Sequence, residues 1–344
     1  MTNEYDSAYD FEREYEEDSE GLKGNMPLRH AVKIVAEIFN QYTSAREDLE
    51  AQTTELTSFI QKLLAQEVVP GDADDWHNLA VDVARKDYFD LACDIIEAGL
   101  AEFPSNTDLL GDYLQYGPSC RRIEQCHMYY ERLKALPKVK YTWRSFHFSA
   151  NWLTYLWEQC VDEEKLVLLT RELQELAAQY RRFFPNSEES YLCEANIYRM
   201  IKDPKKELKI LQQPISRALP MPKCALRLAD TYFEAGEYSK SLEMVQRSLN
   251  DANQVQQAVN ESYLYYLSGL ARLSLLRKND QFSNAEHIED IYKDFEYSLR
   301  LDVRPSLRDS ICTKASLLYH QSSVQLPAQC SKLYELLDDK DMLE

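Results

Sequence analysis

The chain has 344 residues, a formal charge of −19 and only 8 glycines and 12 prolines. Because such a charge is repelled by a phosphate backbone and by an anionic membrane surface, we expect neither nucleic acid nor membrane as a partner. The eight cysteines show no paired spacing, no apolar signal segment stands at the amino end and no apolar run could span a bilayer, so we expect a cytoplasmic protein with reduced thiols.

Residues 1–25 are acidic, with interleaved aromatic side chains. Nine acids occur in the first twenty residues against a single arginine. The aromatic residues are Tyr5, Tyr9, Phe11 and Tyr15. This segment has too little apolar mass to pack alone, so a disordered acidic tail is expected. It could serve only solubility, or it could fold onto a groove of its own chain or of a partner.

Residues 26–70 are expected to form a helical element. Two series of mainly apolar side chains each repeat every seven residues, the second displaced from the first by four positions. This is the pattern of a coiled-coil heptad seam, and two polar positions interrupt it. The two series are Leu28, Val35, Tyr42, Leu49, Leu56, Leu63 and Val32, Phe39, Arg46, Thr53, Ile60. Two interpretations stay open. One is a coiled coil that forms a homodimer through residues 28–63; the other is a cap on the following repeat, as one helix or as a hairpin broken near residues 43 and 44.

Residues 73–106 contain two short amphipathic helical patterns and end near Pro104. The first pattern is Trp76, Leu79, Ala80 and Val83, and the second is Ala92, Ile95, Ile96 and Gly99. This order of aromatic, leucine and small residues, within a unit of about 34 residues, resembles the tetratricopeptide repeat. Gly99 departs from the pattern, which usually has alanine there, and glycine loosens a helix slightly.

Further units of similar length follow. A second strong copy covers residues 222–253, and weaker or longer units cover 107–137, 140–185, 187–219 and 256–303. Intervals of 34, 33 and 35 residues separate Pro70 from Pro104, Pro104 from Pro137, and Pro185 from Pro220. We therefore predict an all-α fold: an α-solenoid of about six irregular tetratricopeptide-like helix pairs over residues 71–305, with capping helices in residues 306–344.

No sequence pattern indicates catalysis or metal binding. A glycine-rich phosphate loop, a zinc-binding HExxH pattern, a nucleophile elbow and a CxxC pair are all absent. Cys120, Cys126 and His127 come nearest to a ligand cluster, but Cys126 falls where the repeat has a small buried residue. We expect no enzymatic activity, no cofactor and no metal.

The resemblance implies a binding surface instead. In tetratricopeptide proteins the first helix of each repeat lines a concave groove that holds an extended peptide or a partner helix. At the matching positions stand His77, Val81, Ala84 and Arg85, then Arg144, Phe148 and Asn151, then Lys223, Arg227, Asp230 and Phe233. Lys223 and Arg227 match half of the carboxylate clamp by which some members grip chaperone ends; His77 and Val81 do not supply the other half.

The function that this resemblance implies is that of a scaffold or adaptor, which binds a peptide or a partner protein in the groove. The alternative is a peptide-sensing regulator whose amino-terminal helices control a second protein, as in bacterial quorum-sensing members of the family. Residues 27–66 show neither a helix-turn-helix nor an obvious catalytic face, which argues against the alternative.

Overall fold

The computed structural model describes residues 26–42, 46–66, 69–279, 285–302 and 304–321. Within these ranges the chain is α-helical, with two short 3-10 helices and no strand, which confirms the predicted all-α fold. The expectation for residues 1–25, the break near residues 43 and 44 and the last part of the capping segment lie outside the described residues. The helices form two compact units, Met1–Leu173 and Gln174–Glu344.

The first unit contains seven α-helices and the start of an eighth within the described residues. They are α1 Leu28–Gln41, α2 Arg46–Leu64, α3 Ala73–Ala84, α4 Phe89–Glu102, α5 Thr107–Tyr116, α6 Ile123–Lys134, α7 Trp143–Gln159 and α8 Glu163–Phe183. Helix α3 packs against α4 and α5, and α5 packs against α6 and α7. The first helices of successive pairs are therefore neighbours, as in a stack of helical hairpins.

Helices α1 and α2 pack against the first pair. Helix α1 contacts α3, and α2 contacts α4. The heptad positions Leu28, Val35, Leu56, Ile60 and Leu63 are buried within the chain. The side chains that a dimer seam would use are therefore enclosed within the chain itself.

The start of α3 is fixed by a capping box. The N–H of Asp75 donates to the Asp72 carboxylate at 2.9 Å, and the N–H of Asp72 donates to the Asp75 carboxylate at 3.1 Å. Two backbone donors at the helix start are thereby satisfied. The acidic residues ahead of Trp76 thus have a structural role, and Trp76 itself is buried.

Gly99 of α4 lies against the Trp76 side chain of α3. A β-carbon at position 99 would lie 2.9 Å from Trp76 Cγ and 3.1 Å from Leu109 Cδ1, distances at which the ring would have to move. Glycine in place of the usual alanine therefore allows the two helices to approach closely.

We expect Gly99→Ala to lower the free energy of unfolding by about 1 kcal/mol. Overpacking a core costs about 1–3 kcal/mol, and this outweighs the gain of about 1 kcal/mol in helix propensity. Urea denaturation followed by circular dichroism measures the difference. A variant as stable as the parent would show that α3 and α4 are not packed this closely.

The second unit contains the end of α8 and seven further helices within the described residues. They are α9 Glu188–Met200, α10 Pro204–Ser216, α11 Pro222–Glu234, α12 Tyr238–Val255, α13 Glu261–Lys278, α14 Ala285–Leu301 and α15 Pro305–Gln321. Helix α11 packs against α9, α10, α12 and α13, and α14 packs against α13 and α15.

The six predicted helix pairs correspond to α3–α4 through α13–α14. The third pair is longer than the first, as predicted: α7 and α8 have 17 and 21 residues, whereas α3 and α4 have 12 and 14. Helix α15 begins where the capping segment was expected. Among the described helices, none combines the length and the apolar character that crossing a membrane requires.

Candidate binding surface

Four helices of the first unit, α1, α3, α5 and α7, open onto a cavity of about 800 Å³, here named the first-unit cavity. Its lining includes five residues predicted from the repeat pattern: His77, Val81, Arg85, Arg144 and Phe148. The register of the repeat thus brings residues of α3 and α7 to one surface.

Asn151 and Ala84, which were predicted from the same register, do not line the cavity. Asn151 is exposed, and its side-chain amide donates to Gln115 Oε1 at 3.2 Å. Ala84 is buried in the packing of α3. The repeat register therefore brings part of the predicted set to this cavity and leaves Asn151 and Ala84 outside it.

Residues of α1 and α5 also line the cavity, and the repeat pattern did not predict them. Arg29, Val32 and Lys33 of α1 face it, as do Asp112 and Tyr116 of α5. The spacing of Arg29, Val32 and Lys33 places them on one helix face, but α1 carries no repeat motif to show where that face points. Helix α5 is the first helix of its pair, and first helices are expected to line the groove. Asp112 and Tyr116 could have been predicted from that position in the repeat.

A buried histidine and carboxylate form part of the cavity wall. His77 is only 8% exposed, and its Nδ1 lies 2.5 Å from Asp112 Oδ2. Asp112 is 1% exposed, and its Oδ1 has no hydrogen-bond partner among the described residues. Burial raises the pKa of the Asp112 carboxyl, and the hydrogen bond from His77 opposes this rise. His77 therefore compensates a buried acid instead of standing exposed for a ligand.

The side of the cavity formed by α5 and α7 is cationic and aromatic. Arg144 has no ion pair within the described part of the chain, and its guanidinium carbon lies 5.5 Å from the centroid of the Trp143 ring. Trp143 is 45% exposed. Burial raises the pKa of Tyr116 to about 12 and the nearby Asp112 adds to the rise, whereas the Arg85 and Arg144 guanidinium groups act in the opposite direction. This side can accept an anionic or aromatic group.

The side formed by α1 and the start of α3 carries charges of both signs. Asp72, Asp74 and Asp75 line it together with Arg29 and Lys33. Arg29 Nε lies 3.0 Å from Asp75 Oδ1, and an Arg29 Nη atom lies 3.9 Å from Asp72. The acids on this side are therefore partly compensated by Arg29, whereas Arg144 on the α7 side has no ion pair in the described structure.

Two of the predicted second-unit residues form ion pairs inside that unit. Lys223 Nζ lies 2.9 Å from Glu189 Oε1. Arg227 Nε lies 3.2 Å from Glu207 Oε1, and Arg227 also donates to Asn196 Oδ1 at 3.2 Å. Glu207 is 3% exposed, so Arg227 compensates a buried charge.

The other two second-unit residues also have internal partners. The Tyr263 hydroxyl donates to Asp230 Oδ1 at 2.6 Å. Phe233 packs against Tyr238, with ring centroids 5.5 Å apart, and against the apolar core of this unit. All four predicted residues therefore have partners inside the second unit, and we take the first-unit cavity as the candidate surface.

The described residues contain no group of three or more His, Cys, Asp or Glu side chains arranged to hold a metal ion. Cys126 is buried and Cys120 partly buried, and both are free thiols. Burial raises the pKa of the Cys126 thiol to about 12, which keeps it protonated and weakly reactive.

No family model matches the chain, and no curated protein is similar to it in sequence. Among solved structures, a signal-transduction ATPase of Pyrococcus horikoshii with a tetratricopeptide repeat sensor aligns with 90% of this chain and 48% of its own, at 12% identity and a TM-score of 0.52. A tetratricopeptide repeat protein of Parabacteroides merdae covers 85% of this chain and 98% of its own, at 13% identity and a TM-score of 0.47. At these identities the likeness is one of fold.

Proposed function

Because the chain has the tetratricopeptide-repeat fold, we propose that it is a non-enzymatic scaffold or adaptor that binds an extended segment of a partner protein in the first-unit cavity. Folds of this kind generally mediate contacts between proteins. The observation that carries the proposal is Arg144, a cation without an ion pair in the described structure, beside the exposed Trp143 ring at an open cavity. We place the protein in the cytoplasm, with its cysteines reduced.

The size and chemistry of the cavity support a short segment as the ligand. Ligand pockets commonly enclose about 300–1,000 Å³, and the first-unit cavity of about 800 Å³ lies in that range. Arginine and tryptophan are the residue types that most often dominate binding energy at protein interfaces. A segment with a carboxylate for Arg144 and an apolar side chain for Phe148 would use both.

Peptides selected from a random display library on the full chain test this proposal. We expect a Kd in the micromolar range, about −8 kcal/mol. Arg144→Gln should weaken binding more than tenfold, because a hydrogen bond to a charged group contributes about 1.5–3 kcal/mol. Titration calorimetry measures both.

Arg277→Gln is the matched control, since Arg277 is exposed on α13 and has no ion pair in the described structure. It should bind the selected peptides as the parent does. Equal affinities for the parent and Arg144→Gln would place the binding site elsewhere.

The second candidate is the peptide-sensing regulator. The observation that favours it is that α1 lines the cavity through Arg29, Val32 and Lys33 and packs against α2. A bound segment would therefore contact α1 directly. Under this function a selected peptide should change the small-angle scattering profile of the full chain; binding with an unchanged profile favours the scaffold.

A further inference from the structure

We infer that residues 9–18 of the same chain occupy the α5–α7 side of the first-unit cavity when no partner is bound. The inference rests on the site proposed above and names an occupant for it. The stretch reads YDFEREYEED, with six acids, three aromatic residues and one arginine in ten positions. Arg144 and Trp143 offer the complementary groups, an arginine without an ion pair in the described structure and an exposed ring.

The described chain begins beside the cavity. The N–H of Met26 donates to Gln66 Oε1 at 2.5 Å, and the N–H of Leu28 donates to the Pro70 carbonyl at 2.9 Å. These bonds fix the start of α1, and Arg29, in its first turn, lines the cavity. Residues 1–25 are therefore joined to the chain at the α1 side of the cavity.

The connecting length suits the distance. Residues 19–25 separate the acidic stretch from Met26, and the eight Cα–Cα steps from Asp18 to Met26 extend over at most about 26–29 Å. Helices α1, α3, α5 and α7 are successive neighbours, and interaxial distances of about 8–10 Å place α7 about 24–30 Å from α1. A tether of seven residues therefore brings residues 9–18 to α5 and α7 but leaves little slack.

The acids of the segment fall where it would meet arginines of the cavity. Residues 21–25 contain no acid and one cation, Lys23. They would pass the α1 side, where Asp72 and Asp74 line the cavity together with Arg29 and Lys33. Residues 9–18 would meet Arg144, and also Arg85, which is paired with Asp82 at 3.2 Å.

Covalent linkage strengthens this contact. A short flexible tether gives an effective concentration in the millimolar range, so even a weak acidic and aromatic contact would be populated. The stacking of Phe11 or Tyr15 on Trp143 or Phe148, with carboxylates at Arg144, is the pairing that we expect. A partner segment would then have to displace residues 9–18.

Photo-crosslinking in the full chain tests the inference, with Phe11→p-benzoylphenylalanine as the probe. Peptide mapping after irradiation should find crosslinks within the same chain to residues 107–116 or 143–151. Their yield should be independent of protein concentration. Arg85→Glu with Arg144→Glu should reduce the yield at least fivefold, and the control Arg277→Glu should leave it unchanged.

Changes in the acidic segment provide a test that does not alter the described structure. Glu12→Lys, Glu14→Lys and Glu16→Lys together should reduce the yield in the parent and restore it in the Arg85→Glu, Arg144→Glu variant. The inference would be overturned by crosslinks on other helices, by crosslinks between chains, or by a crosslink yield that these substitutions do not change.

The outcome is separable from that of the proposed function. If Arg144→Gln weakens the binding of library-selected peptides while the Phe11 probe reacts elsewhere, the scaffold proposal stands and residues 9–18 do not occupy the cavity. If the probe reacts with α7 while Arg144→Gln leaves peptide affinity unchanged, residues 9–18 do occupy the cavity and the scaffold proposal loses its site.

Discussion

Replacing His77 by alanine should lower the free energy of unfolding by about 3 kcal/mol at pH 7. The substitution leaves Asp112, which is 1% exposed, without its one hydrogen-bond partner among the described residues. A buried polar group left without its partner costs about 1–3 kcal/mol, and more when the group is charged. Urea denaturation followed by circular dichroism measures the loss.

The loss should depend on pH. Burial raises the pKa of Asp112, so the folded chain keeps this proton at pH values where the unfolded chain has released it. The stability contributed by the protonated form is present at low pH and is lost as pH rises through the folded pKa. Because His77 opposes the rise, His77→Ala raises the pKa of Asp112 further. The difference between parent and variant should therefore shrink from pH 7 to pH 5.

A double variant supplies the control. His77→Leu with Asp112→Leu removes both polar partners and should cost less than His77→Ala alone, since no buried carboxylate remains unsatisfied. A loss for His77→Ala that is the same at pH 7 and pH 5, or a costlier double variant, would contradict a charge-compensating role for His77.

The second large effect is expected from Arg227→Glu, which should lower the free energy of unfolding by about 3 kcal/mol or more. The new carboxylate would lie beside Glu207, which is 3% exposed and is also paired with Arg199 at 3.0 Å. Two carboxylates at a buried position repel each other, and the lost pair leaves a buried charge only partly compensated.

Lys223→Glu is the matched control, because Lys223 and Glu189 form a pair that is about two-fifths exposed. Exposed pairs contribute about 0–1 kcal/mol, so this variant should lose little. Thermal unfolding of both variants makes the comparison, and equal losses would contradict the structural role of Arg227. Any loss of binding in Arg227→Glu would thus reflect instability of the second unit.

The helices and their pairing could be predicted because the signals are local. Apolar residues at helical spacing, prolines between units and the Asp72–Asp75 cap all act within a few residues of each other. The packing of Gly99 against Trp76 could not be predicted, since it depends on the distance between two helix axes. Sequence suggested a slightly loosened helix, and the structure shows a close contact.

The candidate surface was predictable only in part, for a related reason. The repeat register gave Arg85, Arg144 and Phe148, because it fixes which face of a first helix lines the cavity. It could not show that His77 is compensated by Asp112, which lies 35 residues further along the chain. For the same reason it could not show that Glu207, on another helix, already pairs with Arg227.

Hydrogen exchange of the full chain, with and without a library-selected peptide, tests the binding surface most directly. We expect slower exchange confined to the first unit, in peptides that cover residues 74–85, 107–116 and 143–151. Slower exchange in α9 and α11 instead, or no change at peptide concentrations that saturate binding, would contradict the assignment of the first-unit cavity as the binding site.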